Sequence, residues 1–93
     1  MSITRVVALT GDDQAVMSQA AVYRGITVLN SHASEAAAVR VYDNAEEASG
    51  TLLDAVGLVA GASTSLIYDG IWASEGLYVE VVGGTVEGSI RIG

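Results

Sequence analysis

The chain has 93 residues, enough for one domain with one modest core, and 51% of them are hydrophobic, which excludes a disordered chain. Eleven acidic residues stand against four arginines with no lysine, and the formal net charge of −7 argues against binding nucleic acid or an anionic membrane surface. Cysteine is absent, which excludes disulfides and thiolate metal sites.

Period-two alternation runs through the chain. Ile3 to Thr10 reads as a first strand, ended by the turn chemistry of Gly11-Asp12-Asp13. Ala15 to Ala21 reads as a short strand that continues into Ala21 to Asn30, where Gly25 predicts a bulge or a close backbone contact. A polar loop follows, and Ala37 to Asp43 alternates again, with Val39 and Val41 on one face and Arg40 and Tyr42 on the other. Asn44 to Gly50 reads as a loop. Thr51 to Ala60 is read as a strand bulged at Gly57, and Ala62 to Asp69 as the next strand. Gly70 to Gly76 is read as a connection carrying Trp72. Leu77 to Val82 and Thr85 to Ile92 read as two strands of a hairpin closed by Gly83-Gly84, both able to adopt positive φ. That register predicts Val79, Val81, Val86, Ile90 and Ile92 in the core, with Glu80, Glu87 and Arg91 facing out.

Seven or eight short strands with turn signals between them predict an all-β fold. The expected architecture is an antiparallel β-sandwich, jelly-roll-like, as a single domain over residues 1–93. With no Phe and one Trp, its core must be built from Val, Leu, Ile and Ala, which pack well on pleated surfaces. The N-terminal residues lack the apolar run of a signal peptide, and the apolar stretches are too short to span a bilayer.

Candidate chemistry is sparse. His32, the one histidine, lies in a polar run with Ser31 and Ser34, and it reads as a loop residue rather than a general base. The adjacent pairs Asp12-Asp13 and Glu46-Glu47 do not converge as an acid/base couple would. Asp43-Asn44-Ala45-Glu46-Glu47 offers oxygens to a hard cation but lacks the spacing of a calcium loop, and reads as a solvated turn. Gly83-Gly84 precedes no helix and has no lysine beside it, so it is no phosphate cradle. The expectation is therefore a binding or assembly protein, not an enzyme, with no catalytic residue, metal or cofactor. The interface candidates are Trp72, Tyr42, Arg24, Arg40 and Arg91, because aromatic and arginine side chains are enriched at protein contacts.

The run Gly76-Leu77-Tyr78-Val79-Glu80-Val81-Val82-Gly83-Gly84-Thr85-Val86-Glu87-Gly88-Ser89-Ile90 resembles the C-terminal hairpin of small β-rich structural proteins of tailed bacteriophages. Tyr23-Arg24-Gly25-Ile26-Thr27-Val28 and Val39-Arg40-Val41-Tyr42-Asp43-Asn44-Ala45, with Ala48-Ser49-Gly50-Thr51-Leu52-Leu53, resemble the middle of the same proteins. The likeness implies a virion component on the capsid surface, a decoration or minor capsid protein bound to the major capsid protein. A tail or fibre module that binds a receptor or carbohydrate is the alternative. It carries over no catalytic residue. A small chain of this kind is expected to gain stability by self-association, with a trimer suggested by the local three-fold positions of capsid lattices. At −7 per subunit, close packing of copies needs an arginine of one copy near an acid of the next.

Overall fold

The computed structural model describes residues 3–93, which form eight strands and no helix. They are β1 (Arg5–Ala8), β2 (Gln14–Met17), β3 (Ala21–Asn30), β4 (Ala37–Asp43), β5 (Thr51–Leu58), β6 (Ser63–Ala73), β7 (Leu77–Val82) and β8 (Val86–Ile92). All pairings are antiparallel, in two four-stranded sheets ordered β1-β8-β3-β6 and β2-β7-β4-β5. Every connection except β4–β5 passes from one sheet to the other. This is the strand order of a jelly roll, in which chain neighbours face each other across the core.

The alternation seen in the sequence becomes the inner faces of the two sheets. Tyr23, Ile26, Val28, Ile90 and Ile92 from the first sheet meet Val39, Val41, Leu77 and Val79 from the second, all of them buried. The β-branched residues suit this setting, because their restricted side chains lose little freedom on a pleated surface. The faces assigned to the last two strands hold for Val79, Val86, Ile90 and Ile92. Val81 is only half-buried. The reason is the length of β2, whose pairing with β7 stops at Gln14 opposite Val79. The Val81 N–H is then taken by the Asp13 carboxylate at 2.9 Å instead of a strand.

Three local expectations are corrected. Residues 77–92 are not a hairpin. β7 pairs with β2 and β4, whereas β8 pairs with β1 and β3. Gly83 and Gly84 do take positive φ, 73° and 62°, but they carry the chain between sheets. A tight turn fixes only the local reversal; the pairing partner is decided by where each apolar face is buried. Trp72 is not in a connection either. β6 runs on through it, and Trp72 pairs with Val22 in the ladder. Finally, the irregularity in β5 falls at Leu53, between the pairs Val41–Asp54 and Tyr42–Leu52, while Gly57 sits in regular register opposite Ala38.

The bulge expected in β3 is present. Register shifts between Tyr23 and Gly25 against both β6 and β8, and Gly25 has φ 131°. A Cβ there would run into the Leu66 carbonyl, so only glycine fits.

Candidate functional site

Chemistry could come from the loops or from the outer faces of the sheets. At one end of the sandwich, the His32 ring is held by its own loop. Its Nδ1 accepts the backbone N–H of Ser34 at 3.1 Å and of Glu35 at 2.9 Å. The Ser31 hydroxyl turns away, toward the Thr85 carbonyl. His32 and the two serines are thus brought close in sequence but not into a nucleophile–base pair.

At the other end lies Asp43. Its carboxylate accepts the backbone N–H groups of Ser74, Glu75 and Gly76 and the Ser74 hydroxyl, at 2.8–3.3 Å. Asn44 does the same for its own loop, accepting from Glu46 and Glu47 and donating to Ser49. The Asp43 and Asn44 side-chain oxygens, which could have served a cation, are engaged in shaping the turns. Among the described residues no group of three or more His, Asp or Glu side chains is placed to hold a metal. Desolvation pushes Asp43 up, but the backbone N–H bonds from Glu75, Gly76 and Ser74 and the Ser74 hydroxyl outweigh it and hold the carboxyl below its ordinary value of 3.8. The charged form is therefore favoured by folding. Its contribution is present above about pH 4 and is lost as pH falls through the lowered value. An Asp43→Asn variant is expected to melt lower than wild type at neutral pH and to converge on it in acid; parallel melting curves across that range would contradict the role.

The outer face of the β1-β8-β3-β6 sheet carries three of the interface candidates. Trp72 stands on it, 65% exposed, together with Val6 and Ile67 at 62% and 75%. Arg91 projects from β8 and lies across β3. Its guanidinium donates to the Thr27 hydroxyl at 2.6 Å, to the Leu66 carbonyl at 3.3 Å and to the Ser65 hydroxyl at 3.4 Å. The Leu66 carbonyl it reaches is the one against Gly25, so the arginine closes over the bulge. Arg24 donates to the Asp69 carbonyl at 2.7 Å, and its Nε is buried with no partner.

The outer face of the β2-β7-β4-β5 sheet is different. Tyr42 and Tyr78 are cross-strand neighbours, half-buried, with Leu52 beside Tyr42. One register step of two residues away, Arg40 pairs with Glu80 at 3.1 Å. An exposed pair of this kind adds under about 1 kcal/mol. A shallow open depression over β4 and β5 is lined by Ala38, Arg40, Ala55, Val56 and Gly57. The five candidates therefore divide between two opposite faces. Arg24, Arg40 and Arg91 each have partners within the chain.

Sequence reading missed two polar residues that organise the molecule. Asn30 is fully buried at the end of β3. Asp54 accepts the hydroxyls of Tyr23 at 2.8 Å and Tyr68 at 3.0 Å across the gap between sheets. The available signal for Asp54 was a lone acid in the apolar run Thr51-Leu52-Leu53-Asp54-Ala55-Val56, in a chain whose ring side chains are nearly all tyrosine. In comparisons with known protein families, curated proteins and solved structures, nothing matches the chain.

Proposed function

We propose that this chain is a structural protein of a tailed-phage virion: a capsid decoration or minor capsid protein, without catalytic activity, that docks on the major capsid protein and stabilises the shell. The observation that carries the reading is the strand order, β1-β8-β3-β6 against β2-β7-β4-β5. Viral capsid domains recurrently use this jelly-roll architecture. That is an analogy of fold, which also serves sugar-binding domains and does not by itself assign a role. Two further features support it. The sequence runs quoted above resemble phage structural proteins. Apolar side chains also stand exposed on the flat outer sides of both sheets, Val6, Ile67 and Trp72 on one and Leu52 and Val82 on the other. These side chains are open to contact with another protein. The partners proposed are the shell protein and further copies of the chain, on the virion surface after synthesis in the host cytoplasm. The acidic charge disfavours nucleic acid and membranes as partners.

Quantitative mass spectrometry of purified virions tests the assignment. The chain is expected in many copies, in simple ratio to the shell protein; absence, or a handful of copies, overturns it. A tail or fibre module that binds carbohydrate is the second reading, favoured by Trp72, whose exposed indole on a β-sheet face could stack on a sugar. Low copy number together with glycan binding abolished by Trp72→Ala would select that reading.

A further inference from the structure

The loop after β3 and the loop after β4 are built alike, at opposite ends of the sandwich. One runs His32-Ala33-Ser34-Glu35-Ala36, the other Asn44-Ala45-Glu46-Glu47-Ala48. In the second, the Asn44 Oδ1 accepts the backbone N–H of the residues two and three ahead, Glu46 at 2.8 Å and Glu47 at 3.0 Å. Asparagine commonly caps a turn in this way, because its short side chain reaches the N–H groups that follow. In the first, the His32 Nδ1 takes the same place and accepts from Ser34 at 3.1 Å and Glu35 at 2.9 Å. The two caps differ in one property. An amide oxygen accepts whether the water is neutral or acidic, whereas an imidazole nitrogen accepts only while it carries no proton. Histidine is also the side chain that gains charge in mildly acidic water.

We propose that His32 is an acid-sensitive latch on the crossover between β7 and β8: a proton on Nδ1 removes the acceptor that holds Ser34 and Glu35, and the loop releases Gly84. The path runs through Glu35. Its N–H is held by His32, its carbonyl accepts the Asn30 side chain at 2.8 Å, and its carboxylate Oε1 accepts the Gly84 N–H at 2.7 Å. With Nδ1 protonated, three N–H groups point at one another and the ring must turn away. The ring is half-buried, so the turn brings it into water. Residues 58–62 and 83–87 are the segments that meet this loop around Asn30 and Ser31. The one charged side chain they bring is Glu87, and the loop itself adds Glu35. Both are acids, so they attract the charged ring and do nothing to keep it neutral; that task falls to the two N–H donors alone. A ring drawn to Glu35 also competes for the oxygen that holds Gly84. The unfolded chain takes up the proton without losing a bond, so stability falls as pH drops through the range in which the ring becomes charged. The Asn44 cap is unchanged over that range.

Amide hydrogen exchange, followed by NMR on the full chain at about pH 7.5 and about pH 5.5, tests the latch. Exposed carboxylates stay ionised over that interval, so histidine is the group that changes. Rates are compared with the intrinsic exchange rate at each pH. Wild type is expected to lose protection at Ser34, Glu35 and Gly84 by roughly tenfold toward acid, the equivalent of about one hydrogen bond, while Glu46 and Glu47 keep theirs. His32→Asn copies the Asn44 cap and is expected to hold protection at both pH values. His32→Ala is expected to lack it at both. Unchanged protection in wild type overturns the latch, and so does an equal fall in His32→Asn. A fall of the same size at Glu46 and Glu47 overturns it too, since the whole fold would then be loosening. If His32→Asn does not fold, the contrast between the two caps in wild type decides alone.

Discussion

Asn30→Ala is expected to destabilise the fold by roughly 3–5 kcal/mol, a large part of the stability of a small domain. The side chain is fully buried and uses both ends. Its Oδ1 accepts the N–H of His32 at 3.2 Å and of Thr85 at 3.1 Å, and its Nδ2 donates to the carbonyls of Glu35 at 2.8 Å and Leu58 at 3.2 Å. Its own backbone pairs with Ala62 and Gly61. One residue thus fastens the loop after β3, the end of β5 with its turn into β6, and the crossover before β8. Truncation leaves peptide groups at three chain crossings without partners where water has little access, and an unmet buried group costs more than a made bond returns. Asn30→Asp is the sharper variant. It keeps the two acceptor contacts but sets a carboxylate oxygen against the carbonyls of Glu35 and Leu58. Both variants are expected to lower the melting temperature by more than about 10 °C. Shifts of only a few degrees would mean that water or loop movement replaces these bonds.

The same residue shows what could be read from the sequence and what could not. The strand at Ala21 to Asn30 was legible because alternating β-branched residues announce their period locally. So were the bulge at Gly25 and the inward faces of Val79, Val86, Ile90 and Ile92. Period, however, says which face of a strand is buried, not against which strand. The Gly83-Gly84 signal fits a hairpin and a sheet-to-sheet crossover equally well. The choice is made by Asn30 and Glu35, which bind Thr85 and Gly84 from some fifty residues away in the chain. Trp72 was misplaced for a related reason: Gly70 reads as a strand end, yet it lies in an irregular stretch of β6 that the long β3 holds in line. The candidate surface was legible as residue types, not as a patch. Trp72, Arg24 and Arg91 lie far apart in sequence and share one outer face only once β8, β3 and β6 pair.

Asp54→Ala is expected to cost roughly 2–4 kcal/mol, because it strands two tyrosine hydroxyls at once. Asp54 faces inward from β5, at the edge of one sheet, and meets Tyr68 on β6, at the edge of the other, and Tyr23 on β3. The two rings pack at 5.8 Å between centroids with a 50° tilt. The carboxylate thereby joins the two sheets along the side where β5 and β6 run together, and Tyr23, fully buried, has no water to fall back on. Asp54→Asn keeps an acceptor and is expected to cost less than half as much. Tyr23→Phe removes one bond of the pair, so the Tyr23→Phe, Asp54→Ala double variant should be more stable than the sum of the single losses, by about 1–2 kcal/mol. Alkaline pH supplies an independent reading. Burial raises Tyr23 above its ordinary value of 10.0, helped by its bond to Asp54 and the negative charge there, and the same causes raise Tyr68. Both phenols stay protonated in the folded chain at a pH where the unfolded chain releases the protons. Their contribution is therefore complete below about pH 10 and is lost as pH climbs beyond it. Urea unfolding at about pH 8 and about pH 10.5 should show wild type losing more stability than Tyr23→Phe over that interval. Equal losses for the two proteins would mean that the alkaline transition is set elsewhere, and the link between the sheets would then rest on apolar packing alone.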